Sequence, residues 1–280
     1  DHFLDIAYNL PKFDTYAVWS ENATTFATST IIGTNAFGLF VDTNNTVYVA
    51  NRQNNRAHIW LEGSTMPSRN ITSGLNTPYS IFATSNGDVF IDNGNSNSRV
   101  DKWTLSGLNS TTMSVRDACY DLFIDIAYNL YCSVNSKHQV MIKSLDSNSD
   151  MWIIAGGTDC YGSASNQLYY PRGIHVDENL NLYVADCSNN RVQKFPSQEL
   201  NAITVVGSSA AGTISLSCPS DVALDADGYL FVVDSTNHRI IGSSSTGFRC
   251  IVGCAGSYGA TSYQLNTPST MSFDNYGNIS

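Results

Sequence analysis

Short apolar runs ending in an acidic or polar turn recur six times: GLFVD (38–42), SIFAT (80–84), LFID (122–125), GIHVD (173–177), DVALD (221–225) and TMSFD (270–274). Their last residues, at 42, 84, 125, 177, 225 and 274, lie 41 to 52 residues apart, the period of one supersecondary unit repeated along a chain. Six residues before each of them stand Ala36, Pro78, Cys119, Pro171, Pro219 and Pro268. Proline thus opens four of the six units, where a strand can begin without using its N–H.

A second apolar run follows after a short polar turn: TVYVAN (46–51), DVFIDN (88–93), NLYCSV (129–134), NLYVAD (181–186) and YLFVVD (229–234). The intervening turn formers make each pair read as a tight β-hairpin. A third run comes next, as NNRAHIW (54–60), NSRVDKW (97–103), NNRVQKF (189–195) and NHRIIGS (237–243). A fourth is ITSG (71–74), MWIIAG (151–156), AITVVG (202–207) or RCIVG (249–253), which predicts four strands per repeat.

Two stretches, YPRGIHVDENLNLYVADCSNNRVQKF (170–195) and CPSDVALDADGYLFVVDSTNHRII (218–241), resemble the NHL repeat family, including the Asn237-His238-Arg239 run. The repeat at 118–160 matches weakly, with Val134 at the Asp position and Gln139 at the Arg position. The resemblance implies an all-β fold, a β-propeller of four-stranded antiparallel blades in one domain. Six blades are expected, at about 33–74, 75–117, 118–166, 167–215, 216–264, and 265–280 completed by 14–29. In that last blade TYAVW (15–19) stands in for a third strand, with Trp19 where Trp60, Trp103 and Phe195 lie, and TTFAT (24–28) for a fourth. Joining both ends in one blade would remove an exposed sheet edge. The chain reads as cut short after Ser280, and DIAYNL occurs twice, at 5–10 and 125–130, with no explanation in the pattern.

With 14 Lys+Arg against 24 Asp+Glu the net charge is −10, the wrong sign for nucleic acid, and the basic residues form no run. No apolar stretch reaches the roughly 18 residues that would insert in a membrane. Asp186 with Arg191, and Asp234 with Arg239, recur from repeat to repeat and read as structural ion pairs, because a catalytic residue is needed once. Of the five histidines, His138 and His238 share one position in the repeat, while His175 alone lies on a first strand, which in a propeller lines the central channel. His175 is therefore the one candidate metal ligand. The related amidating lyases imply a channel zinc on three histidines and lactonase-like propellers a channel calcium, but no matching triplet or calcium-loop spacing occurs here. No cofactor and no catalytic residue are predicted.

Seven cysteines, Cys119, Cys132, Cys160, Cys187, Cys218, Cys250 and Cys254, fit neither zinc spacing nor a redox pair and read as disulfides of an oxidising compartment. The expected pairs are Cys119 with Cys132 and Cys160 with Cys187, with Cys218 choosing between Cys250 and Cys254. Sequons at Asn22, Asn44, Asn70, Asn109 and Asn278 are candidate glycosylation sites, though chance alone gives about six in such a composition.

The sequence thus predicts a non-enzymatic propeller, extracellular or at the cell surface, that presents loops to a protein or glycan. The alternatives are a metal-dependent propeller enzyme of lyase or lactonase type with chemistry in the channel, and the substrate-recognition module of an intracellular regulator.

Overall fold

The computed structural model describes residues 7–14, 17–20, 22–104, 110–147, 150–157 and 160–280. They form five four-stranded antiparallel sheets. The first holds β1 (Ala36–Val41), β2 (Val47–Asn51), β3 (Arg56–Trp60) and β4 (Arg69–Ile71). The second holds β5 (Ile81–Ala83), β6 (Val89–Asp92), β7 (Arg99–Trp103) and β8 (Ser110–Ser114), and the third β9 (Asp121–Ile124), β10 (Asn129–Val134), β11 (Gln139–Ser144) and β12 (Trp152–Ala155). The fourth holds β13 (Pro171–Val176), β14 (Leu182–Asp186), β15 (Arg191–Phe195) and β16 (Ile203–Gly207). The fifth holds β17 (Pro219–Leu224), β18 (Leu230–Asp234), β19 (Arg239–Ser244) and β20 (Gly247–Val252). Each sheet runs through its strands in sequence order, and successive first strands pack against one another, as in the blades of a propeller.

The residue that ends each first strand closes the hairpin that follows. Asp42 accepts hydrogen bonds from the backbone N–H groups of Asn44 and Thr46 and from the Tyr48 hydroxyl. Asp125 does the same with Ala127, Asn129 and Tyr131, and Asp177 with Asn179, Asn181 and Tyr183. This Asx-turn chemistry is why an acidic residue recurs at the sequence period. At the opposite end of the first strands backbones approach closely: a Cβ on Gly173 would lie 2.2 Å from Asp221 Oδ1.

Apolar side chains of adjacent sheets interdigitate to form the core. Phe40, Phe82 and Phe123 hold the same position in three consecutive first strands, with ring centres 4.4 Å and 5.3 Å apart. Burying such rings contributes about 2–3 kcal/mol each.

The expected sixth blade is not formed. Its share of the chain supplies a hairpin around the bridge Phe273–Ile279, held to the first blade by Asn275 and Asn45 and to the fifth by Asp221 and Met271. Residues 17–20 and 22–28 form no strand. A third strand needs the outer edge of a second, and among the described residues this hairpin pairs only at the bridge between Phe273 and Ile279. Trp19 instead turns into the apolar space beside Phe13 and Phe231, at 4.9 and 5.7 Å between ring centres. A cleft of about 1060 Å³ remains between the fifth and first blades. Thr15 and Tyr16 of the predicted third strand lie outside the described residues. Among the described residues no helix is long and apolar enough to cross a membrane.

Candidate functional site on the upper face

First strands begin, and second strands turn into third strands, on the same side of the ring, here called the upper face. In the fourth blade Asp186 and Arg191 meet at that turn. Asp186 Oδ1 accepts the Tyr169 N–H at 2.7 Å, and Oδ2 accepts Asn189 Nδ2 and Arg191 Nε, both at 2.8 Å. The remaining Arg191 nitrogens donate to the carbonyls of Ser163, Ala164 and Gln167. The fifth blade repeats this with Asp234, which accepts Ser217 N–H, Asn237 Nδ2 and Arg239 Nε. Burial raises the Asp186 carboxyl above the usual range, opposed by its three donors and the charge of Arg191. Both pairs are consumed by holding a loop to a sheet, and none of their groups is directed at a ligand.

His138 and His238 lie one residue before the third strand in the left-handed conformation, at φ 60° and 55°. Their Nδ1 atoms accept the N–H of Tyr170 at 3.1 Å and of Thr267 at 3.0 Å, in the loops that lead into the next blade. Asn55 and Asn190 do the same with Thr77 and Cys218. The repeated histidine is thus one of two acceptors that fasten a blade to its successor.

His175 stands fourth in the band of Phe40, Phe82 and Phe123, 4.9 Å from the Phe123 ring. Tyr8 enters the channel from the lower face and meets His175 edge-on at 5.4 Å. The chain around it crosses that face from Thr43 to Ala226, with Asn9 bonded to the carbonyls of Val41, Asp42 and Phe273. Burial pushes the His175 imidazole down to about 4, and its Nε2 has no partner. The axial cavity it lines measures about 70 Å³, room for about two waters. The carboxyl groups of Asp121 and Asp221 also line it, both raised by burial, that of Asp121 also by the charge of Asp221. Their oxygens already accept N–H groups of Leu122, Ile174, Val222 and Met271. Among the described residues no three His, Cys, Asp or Glu side chains are grouped so as to hold a metal ion.

The upper face also carries an aromatic shelf, whose Tyr161 recurs in the repeat as Tyr258 beside His238. Tyr161 stacks on Tyr169 at 4.5 Å and Tyr169 on Tyr170 at 5.2 Å, and the His138 ring meets all three edge-on. Tyr161 is 59% and Tyr170 42% exposed. Nearer the axis Phe37, Tyr79 and Tyr120 form a second aromatic group around the channel mouth. The legible signal was position: these three stand five residues before 42, 84 and 125.

Disulfides join Cys119 to Cys132, Cys187 to Cys218 and Cys250 to Cys254, leaving Cys160 free and exposed. The expected pairing of Cys160 with Cys187 is thereby corrected, as is that of Cys218 with Cys250 or Cys254. The turn after a blade's second strand abuts the start of the next blade's first strand, where the bond from Cys218 N–H to Asn190 already holds the two together. Asn22, Asn44, Asn70 and Asn278 are exposed, the Asn70 side chain lying against His58. Asn109 lies outside the described residues.

This architecture is that of a β-propeller with four-stranded antiparallel blades. Two of its blades are NHL repeats, the family pattern matching residues 168–195 and 216–242. No curated protein matches the chain in sequence. Among solved structures, virginiamycin B lyase from Staphylococcus aureus is similar at 12% identity and TM-score 0.61, over 85% of this chain and 74% of that one. A protein of unknown function from Bacteroides thetaiotaomicron is similar at 17% identity and TM-score 0.69, over 88% and 66%. An auxiliary nutrient binding protein from Bacteroides ovatus follows at 13% identity and TM-score 0.63, over 81% and 60%. At such identities the likeness shows the fold alone.

Proposed function

We propose that the chain is a non-enzymatic, extracellular binding module that presents its upper face to a protein or glycan. The observation that carries this reading is the shelf of Tyr161, Tyr169 and Tyr170, stacked on one another and met edge-on by His138 at a rim exposed to solvent. Rings held by packing offer contact area with little conformational entropy left to lose, and each ends in a hydroxyl that can bond a polar partner. Three disulfides favour an oxidising compartment over the interior of a cell. The nutrient binding proteins of similar fold are consistent with a binding role. The channel gives the enzymatic alternative little room, since its cavity of about 70 Å³ is stopped from below by Tyr8.

The test compares intact protein with the Tyr161→Ala/Tyr170→Ala double variant on glycan and protein arrays. The expected outcome is a specific set of signals reduced at least tenfold in the variant, whose melting temperature stays unchanged. Signals indifferent to both tyrosines, or none from the intact protein, overturn the reading.

A further inference from the structure

Phe37, Tyr79, Tyr120 and Arg172 occupy equivalent places at the openings of the first four blades. The three rings lie 5.7 to 5.8 Å apart, forming an aromatic floor at the channel mouth. Two guanidinium groups rest on it. Arg52, from the loop after β2, lies 3.7 Å from the Tyr79 ring centre and 5.1 Å from that of Phe37, and Arg172 lies 5.3 Å from that of Tyr120. All five side chains are partly exposed.

These arginines differ from Arg99, Arg191 and Arg239, each of which is paired with an aspartate. Among the described residues neither Arg52 nor Arg172 has an ion pair. Arg52 makes one bond outward from its Nη2, to the Tyr79 hydroxyl at 2.6 Å, and the Nε atoms of both are buried without a partner. Asp121 and Asp221, which line the cavity on the axis, and Asp92 beside Tyr79 are already bonded to backbone N–H groups, and burial raises all three carboxyls. What sets the two apart is that both lie over rings of one aromatic cluster at the channel mouth.

A guanidinium lying flat on a ring keeps its in-plane N–H groups free at the edge, and that edge matches a carboxylate in bidentate fashion. The Tyr79 hydroxyl, which accepts from Arg52, keeps its own O–H to donate to a hydroxylated ligand. We infer that the channel mouth binds an acidic glycan whose uronate carboxylates are held by Arg52 and Arg172. This deepens the proposed binding function by naming a ligand class, but it uses residues separate from the tyrosine shelf.

Calorimetry with trigalacturonate as the probe and neutral galactotriose as its control tests the inference. The expected result is binding of trigalacturonate at least tenfold tighter than galactotriose, weakened by added salt and weakened at least tenfold by Arg52→Gln or Arg172→Gln. Tyr161→Ala leaves it within twofold. Should Arg172→Gln fail to fold, Arg52→Gln in its loop carries the test, with circular dichroism as the check on folding. Three results overturn the inference: no trigalacturonate binding, equal binding of the two trisaccharides, or binding indifferent to both arginines. Inorganic sulfate binding as tightly as trigalacturonate also overturns it, since the mouth would then read charge alone. Its failure beside array signals that still need Tyr161 and Tyr170 leaves the broader binding function standing.

Discussion

The fourth and fifth blades close the turn between second and third strands with a buried carboxylate, an amide and a guanidinium, whereas the first three reach the same topology with other chemistry. In the second blade Asn93 stands where Asp186 stands in the fourth. Its Oδ1 accepts the Asn76 N–H at 2.6 Å, as Asp186 accepts that of Tyr169, and its Nδ2 bonds Asp101, which takes the arginine, Arg99. The first blade has Asn51 at this position, accepting Asn54 N–H, with Arg56 turned to a backbone carbonyl. The third has Val134, and Gln139 donates to the Gly157 carbonyl. What the joints share is a hydrogen-bonded turn, complete in the fourth and fifth blades and incomplete in the first, where Asn51 Nδ2 is buried without a partner. Charge is one way to achieve it, and the NHL pattern matches only the two blades that use it.

Removing the carboxylate gives the largest effect. Asp186→Ala strands Arg191, which is 3% exposed, and should cost about 3–5 kcal/mol in urea denaturation. The second blade also holds a buried carboxyl with no guanidinium partner, Asp92, which burial pushes up to about 7 despite bonds from Tyr79, Gly94 and Cys119 N–H. Because its folded value lies above the ordinary one, its contribution is full below about pH 4 and is lost as pH rises towards 7, by at most about 4 kcal/mol. His175 has the opposite sign: pushed down to about 4, it contributes fully above about pH 6.5 and less as pH falls. Denaturation midpoints across pH 4.5 to 7.5 should show both slopes, and His175→Phe should flatten the acid one alone.

Smaller effects come from exchanging one solution for another. Asn93→Asp places two carboxylates in contact and should cost about 1–3 kcal/mol, of which adding Asp101→Asn recovers at least half, measured as a double-mutant cycle. Least of all, His138→Asn should change stability by under about 0.5 kcal/mol, because Asn tolerates the left-handed conformation and Asn190 already accepts the same bond one blade on.

The hairpins were legible in the sequence because each depends on a local aspartate a few residues from its donors. Blade number was not, because a third strand depends on an edge supplied elsewhere in the chain. The two copies of DIAYNL show the same limit. Asp125 caps a turn in which Tyr128 takes φ 58°, while Tyr8, at the same place in the other copy, extends and stops the channel. Identical residues adopt two structures because their partners differ. The Tyr161 shelf and the arginines at the channel mouth were hidden for a related reason. They are brought together from separate blades, although Arg172 repeats the place of Phe37, Tyr79 and Tyr120 and Tyr161 that of Tyr258, whereas His175 was visible and belongs to the aromatic band.

Native-state hydrogen exchange at three equivalent amides, Asn76, Tyr169 and Ser217, tests most directly whether one joint is closed by different chemistry in different blades. All three donate to a side chain at the same position, an amide in the second blade and carboxylates in the fourth and fifth. They should exchange at similarly slow rates, and Asp186→Ala should release Tyr169 alone. An Asn76 amide exchanging as fast as exposed loop amides, while Tyr169 and Ser217 stay protected, would contradict this.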